Sequence, residues 1–342
     1  MSKRTTKEIA DSIRRGSRLV YQKDAEYKQA GFIAPLNIDK IEYAVSQESV
    51  ESEDYFLMEI IYDACFVTPE FLYYRIKSGV KRGERGCIEI AKAGLIENLG
   101  HLNHRLERLA CFGFFFCCEM KTADKAKILR IYYCTMEGFR AFTHRLEHYR
   151  SYNRTLIYRP IHEMFRYLAT NVVLYAMREN PNFKELWSFE RYEYRTAEDR
   201  KEHTDIYGRI LFQSEEGGPK TYVFVEPVFF SCDDTYVTSE ENAERVRERI
   251  DVMRGVVESF KEKEDEEAYV LFILENNEGV GYLKKIIFDM ELDFFKECCY
   301  FTTENAVFES SRAGGDGTDS LLGFNVVEGK FKFKQKNLPG AI

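Results

Sequence analysis

The sequence predicts an α+β protein: a mainly helical first half that closes on a β-hairpin, followed by an α/β sandwich. Three observations carry this. Apolar residues recur at helical spacing between about residues 53 and 112, with Gly and Pro at the breaks. Phe114 to Cys118 and Ile128 to Cys134 are apolar, β-prone runs on either side of a polar tip, Lys121 to Lys127. Beyond residue 160 the order is helix, three strands, helix, strand, helix, strand, which belongs to a layered α/β domain.

Composition sets the class. The 342 residues are enough for one large domain or two ordinary ones. Seven prolines stand against 22 Tyr and 27 Phe, so a packed core is expected, not long disorder. The longest apolar run, Leu109 to Cys118, is far short of the roughly 20 residues of a membrane span. Met1 to Lys7 is polar with no apolar stretch behind it, which argues against a secretory signal. The nine cysteines are odd in number and sit mostly in apolar stretches, without a Cys-x-x-Cys. Buried thiols in a reducing cytoplasm follow from this, rather than a disulfide scaffold or a zinc ribbon.

The net charge of −8 hides an asymmetry. Residues 1–160 hold 26 Lys and Arg against 21 Asp and Glu, and the rest hold 23 against 36. A basic half suits a polyanion, and an acidic half suits a separate role such as binding a protein.

The elements follow in order. Residues 1–50 read as a basic arm, helix-forming from Thr6 to Ala30 and interrupted at Gly31 and Pro35. Phe56, Leu57, Ile60, Ile61 and Ala64 mark a first helix. Thr68-Pro69-Glu70 opens a second as N-cap, first-position Pro and first-turn acid, with Phe71, Leu72, Tyr74 and Ile76 as its apolar stripe. Helix, tight turn, helix opens a helix-turn-helix. Residues 77–100 read as a basic loop, with Lys77, Lys81, Arg82 and Arg85 among three glycines, and a short helix near Ile88 to Leu95. A further helix carries Leu102, Leu106 and Leu109 on one face. Asn103, His104, Arg105 and Arg108 fall mostly off that stripe, as residue types that bond base edges and phosphates. After the hairpin, Thr135 is an N-cap with Glu137 in the first turn.

These residues resemble a winged-helix DNA-binding domain over about 53–148. A leucine-striped helix precedes a small hairpin. Tyr132-Tyr133-Cys134-Thr135-x-x-Gly138 is similar to the family's Y-x-L-T-x-x-G, with Cys134 where the family has Leu. The 77–100 stretch is longer than the family's usual spacer. The resemblance implies that Asn103, His104, Arg105 and Arg108 face DNA and that Lys121, Lys125 and Lys127 lie on the wing; Lys81, Arg82 and Arg85 of the basic loop are expected to bind DNA beside them.

Residues 149–160 read as a connector, followed by a helix from Ile161 to Arg178. Strands are expected near Leu186 to Tyr194, Ile206 to Ser214 and Thr221 to Glu226, with Trp187 in the core. A helix from Glu240 to Lys263, a strand from Tyr269 to Leu274, a helix from Gly281 to Met290 and a strand from Cys298 to Thr302 complete the set. This order resembles the restriction-endonuclease-like, PD-(D/E)xK, core. It is most similar to the C-terminal domain of the replication-relaxation family, where that core follows a winged helix. The resemblance puts Asp205 and Glu226 at the catalytic carboxylate positions. A nuclease of this type needs Mg²⁺ on two carboxylates and a Lys two residues after the second. Here position 227 is Pro and 228 is Val. Glu163 and Lys220 are the nearest substitutes. A vestigial site is therefore expected, with no cofactor unless Mg²⁺ catalysis is retained.

His144 and His148 are spaced to share a metal, but no third ligand is near in sequence, and no metal is expected. Lys330 to Lys334 alternates Lys and Phe, as an edge strand or a tail. The expected domains are the arm at 1–50, the winged helix at 51–150, the nuclease-like domain at 151–310 and a flexible basic tail at 311–342. The expected function is duplex DNA binding without catalysis, in replication, mobilisation or transcription control of a plasmid or mobile element. The partners that go with it are double-stranded DNA, a second copy of the chain as a homodimer, and a protein on the acidic half, with no membrane. A Mg²⁺-dependent DNA nuclease and a non-catalytic protein-interaction module are the alternatives.

Overall fold

A computed structural model describes residues 28–33, 50–121, 128–147, 161–228, 239–264, 266–274, 283, 286–287, 290, 292–327 and 330–341. They fall into two units, one within residues 23–168 and one from Ala169 to Ile342. The fold is α+β, with helices dominating the first unit and a mixed sheet the second.

In the first unit, strand β1 (Lys28–Ile33) is followed by helices α1 (Ser52–Ala64), α2 (Pro69–Lys81), α3 (Arg85–Lys92) and α4 (Leu99–Cys111). Strands β2 (Phe115–Lys121) and β3 (Ile128–Cys134) and helix α5 (Met136–Leu146) come next. β1 and β3 both pair antiparallel with β2. Between α1 and α2 the chain is extended at Val67, whose N–H and C=O both bond Tyr132 of β3, at 3.0 and 2.9 Å. Thr68 then caps α2 by accepting the Phe71 N–H at 3.2 Å, with Pro69 at the first turn where its missing N–H costs nothing. The core joins Leu57 and Ile61 of α1, Leu72 and Ile76 of α2, Leu102, Leu106 and Leu109 of α4, and Phe114 and Phe115, all fully buried or nearly so. Truncating any of these leucines to Ala removes about 2–5 kcal/mol.

Three sequence expectations change here. Lys28 to Ala30 lie in a strand, not at the end of a helix; the remainder of the predicted arm helix lies outside the described residues, as does the connector up to residue 160. The 77–100 stretch is mostly helical, because α2 runs on to Lys81 and α3 starts at Arg85. Tyr74 is exposed and does not belong to the apolar stripe of α2.

Helix α6 (Ile161–Met177) contains the division between the two units. The second unit then holds β4 (Phe183–Arg195), β5 (Lys201–Phe212), β6 (Thr221–Val228), α7 (Ser239–Glu264), β7 (Glu267–Leu274), α8 (Leu292–Cys298), β8 (Cys299–Thr302), α9 (Glu304–Arg312), β9 (Leu322–Val327) and β10 (Lys330–Gln335). The seven described strands form one sheet in strictly sequential order, β10-β9-β8-β7-β6-β5-β4. β6, β7 and β8 are parallel, and the strands flanking them pair antiparallel. β7 is buried over almost its whole length, as expected of a central parallel strand read from a continuous apolar run.

α7 packs on β4 and β7, and Phe260 of α7 contacts the rings of Tyr222, Phe224 and Tyr192. On the same side the Arg209 guanidinium lies 4.1 Å over Trp187 and 3.1 Å from Glu190. Phe189, between Trp187 and Glu190 in β4, has φ 49°, and the Arg209 side chain reaches both of these neighbours. Trp187 is thus half-buried beneath a cation, not deep in the core.

Within residues 311–342, expected as a flexible tail, β9 and β10 instead complete the sheet. β10 is the edge strand, and Leu321, Leu322, Leu338 and Ala341 are buried. Among the described residues no helix is long and apolar enough to cross a membrane.

Candidate nucleic-acid interface

Helix α4 starts at Asn98, whose side chain accepts the His101 N–H at 3.0 Å. Leu102, Leu106 and Leu109 turn inward together. Arg105, expected to face DNA, turns inward with them and is 7% exposed. Its Nε donates to Asp54 Oδ1 at 2.7 Å and its Nη2 to Asp54 Oδ2, and Asp54 is fully buried. Burial opposes the Arg105 charge, but the hydrogen bond and charge of Asp54, with Glu51 and Glu53 behind it, outweigh burial and hold its pKa above the ordinary arginine value. Asp54 also accepts the Glu51 N–H at 2.7 Å, so the capping box that starts α1 is the anchor of α4 as well. The signal for this was in the sequence. At about 100° per residue Arg105 falls about 40° from Leu109, inside the buried arc.

The opposite arc of α4 faces solvent. His101, His104, Arg108 and Cys111 are exposed and Asn103 is half-buried. Arg108 lies 5.5 Å over the Phe112 ring. The single acid of α4, Glu107, bonds Arg130 of β3, which also holds Glu119 of β2 at 2.9 Å. That network joins the helix to the hairpin two residue pairs before its turn end. Lys125 and Lys127 lie outside the described residues; Lys121 ends β2, paired with Lys28 and Ile128.

The α2–α3 corner is locked from inside. Arg75 bonds Glu84 at 2.6 Å and reaches Cys87 Sγ at 3.5 Å, and the thiol donates to Glu84 at 3.6 Å. Burial pushes the Cys87 thiol up to about 11. Gly79 is required here, since a Cβ would collide with Cys87 Sγ and come within 2.7 Å of Arg75 Nη1. Lys81, Arg82 and Arg85 are exposed around this corner, with Arg82 3.6 Å from Glu84.

Thr135-x-x-Gly138 has a structural cause. The Thr135 hydroxyl accepts the Gly138 N–H at 3.0 Å and donates to the Gly113 and Phe114 carbonyls, at 2.7 and 3.0 Å. A Cβ on Gly138 would collide with the Phe114 carbonyl. One residue pair therefore caps α5 and clamps it to the start of β2.

In the second unit Glu226, one of the two expected catalytic carboxylates, is held by a cation. Both Glu226 oxygens accept from Arg249 of α7, each at 2.8 Å, and Glu226 is 2% exposed. The same guanidinium donates to the Thr204 hydroxyl at 2.6 Å and to the Asp205 main-chain carbonyl at 2.7 Å. Asp205 itself is on the exposed side of β5, paired with Arg191 across the ladder. Of the nearest substitutes, Lys220 bonds Glu266 at 2.8 Å and Glu163 bonds Arg166 at 2.7 Å. No group of three potential metal ligands occurs among the described residues, and His148 lies outside them.

Comparison of the chain with protein-family models, with curated proteins and with solved structures gave no match.

Proposed function

We propose that the chain binds duplex DNA without cleaving it, through a winged-helix first unit that presents α4 to the major groove. The observation that carries this is the solvent face of α4: Asn103, His104 and Arg108 project from a helix whose one acid is consumed by Arg130. The order helix, short bridging strand at Val67, helices, then hairpin supports the winged-helix reading. Glu107, Arg130 and Glu119 fix the hairpin against α4, as a wing requires. The resemblance of the second half to the C-terminal domain of the replication-relaxation family, where such a domain follows a winged helix, supports a role in replication, mobilisation or transcription control of a mobile element. The Arg249–Glu226 pair supports a second unit that serves as a scaffold and not as a nuclease.

Selection from a random duplex pool, with and without Mg²⁺, tests the proposal. An enriched sequence and uncut fragments are expected. His104→Ala with Arg108→Ala should weaken binding by about 1–3 kcal/mol for each base-reading side chain removed, and relax the sequence preference. Unchanged affinity in that variant, or Mg²⁺-dependent cuts that disappear in Glu226→Ala, would overturn it.

A further inference from the structure

The solvent face of α2 carries groups that a reading helix at α4 leaves unused. Tyr74 is the one large apolar side chain exposed among the described residues, at 47%. The Tyr73 ring stands edge-on to it at 5.7 Å. Lys77 holds its ammonium 4.2 Å over the Tyr73 ring and donates to the Tyr73 hydroxyl at 2.5 Å. Lys81 follows one turn later, so residues 73, 74, 77 and 81 share a helix face. Glu70 stands one turn before Tyr74 as the acid at the far end of that face. Lys77 and Lys81, and Arg85 at the start of α3, form no ion pair with a carboxylate among the described residues, whereas Arg75, Lys92, Arg105 and Arg130 all do. The buried Arg75–Glu84–Cys87 lock fixes the corner from which these cations project.

We propose that this face is a second, sequence-independent contact surface that grips the phosphate backbone of duplex DNA. Lys77, Lys81 and Arg85 supply the charge, and the two tyrosines supply hydroxyl contacts. The proposal rests on the duplex-DNA reading of α4. Its chemistry favours phosphodiesters: cations at helical spacing with no carboxylate partner among the described residues, beside phenolic hydroxyls, are the groups that bond phosphate oxygens without reading bases.

The test uses the full chain, a fluorescein-labelled duplex of mixed sequence, and a series of NaCl concentrations. The Lys77→Ala, Lys81→Ala, Arg85→Ala triple variant should flatten the plot of log K against log[salt] by about 0.9 for each phosphate no longer neutralised, nearly 3 in all. The sequence it enriches from a random duplex pool should stay that of the wild type. Lys77→Arg with Lys81→Arg should keep the slope, and thermal unfolding should be unchanged, since all three positions are solvent-facing. A triple variant with the wild-type slope would overturn this proposal and leave the α4 reading standing. So would a changed enriched sequence, or a loss of affinity confined to single-stranded probe. A wild-type chain that binds no duplex at the lowest salt would remove both.

Discussion

Arg105→Ala separates the structural role of this residue from a DNA-contacting one. Asp54 has no solvent exposure, and Arg105 supplies both of its side-chain donors. Truncation leaves a buried carboxylate held by the Glu51 N–H alone. Removing one partner of such a pair costs about 3–5 kcal/mol. Set against a total stability of about 5–15 kcal/mol, that is a large share, and it corresponds to a melting decrease of roughly 10–20 °C. Thermal unfolding followed by circular dichroism reads it directly. Replacing both residues together, Asp54→Leu with Arg105→Leu, removes the stranded charge and should recover most of the stability. That double variant should also still bind duplex DNA, since neither side chain faces solvent. An Arg105→Ala protein that melts within about 2 °C of wild type, less than 1 kcal/mol, yet no longer binds DNA would refute the buried-pair argument.

Gly138→Ala should destabilise the first unit by about 1–3 kcal/mol, because the new Cβ meets the Phe114 carbonyl and lies 2.8 Å from Cys134 Sγ; chemical denaturation checks it. Alkylation of the native chain at pH 8, read by mass spectrometry, should label exposed Cys111 and spare Cys87, Cys117 and Cys118. Burial pushes Cys87 up to about 11 and Cys117 to about 12, whereas an unfolded thiol ionises near 8.5. The fold therefore binds more protons there, and stability should fall as pH rises from about 8.5 through those values. Arg249→Met should destabilise the second unit toward the lower end of about 3–5 kcal/mol, since Glu226 is buried but Arg249 keeps a 27% exposed side chain. Differential scanning calorimetry reads that decrease, and wild-type melting should not respond to Mg²⁺.

Local pattern made much of this fold legible. The leucine stripe of α4, the Thr68-Pro69 start of α2 and the apolar run of β7 each depend on neighbours a few residues away. What escaped was set by partners distant in sequence. Asp54 lies 51 residues from Arg105, and no periodicity links them. Glu226 read as a strand-terminal acid, but its partner Arg249 is a helix residue whose meeting with β6 depends on how α7 crosses the sheet. Lys330 to Lys334 read as strand-like, yet only its pairing with β9 decides between edge and tail. Tyr74 was misassigned because an aromatic at helical spacing is usually buried, and here the face it occupies is open to solvent.

The sequential order of the second sheet bears on how it can be made. Each strand pairs with the one synthesised just before it, so no later strand has to insert between two already joined. The sheet can grow outward from β4 as the chain emerges from the ribosome. Each stage before completion leaves an open edge, first the apolar β6, then β7, whose unpaired backbone is a hazard for self-association. The last strand to arrive, Lys330–Gln335, has a cationic residue at every second position through Lys334. The growing side of the sheet thus ends only when its final strand docks, and the lysines of that strand make it poorly suited to recruit another chain.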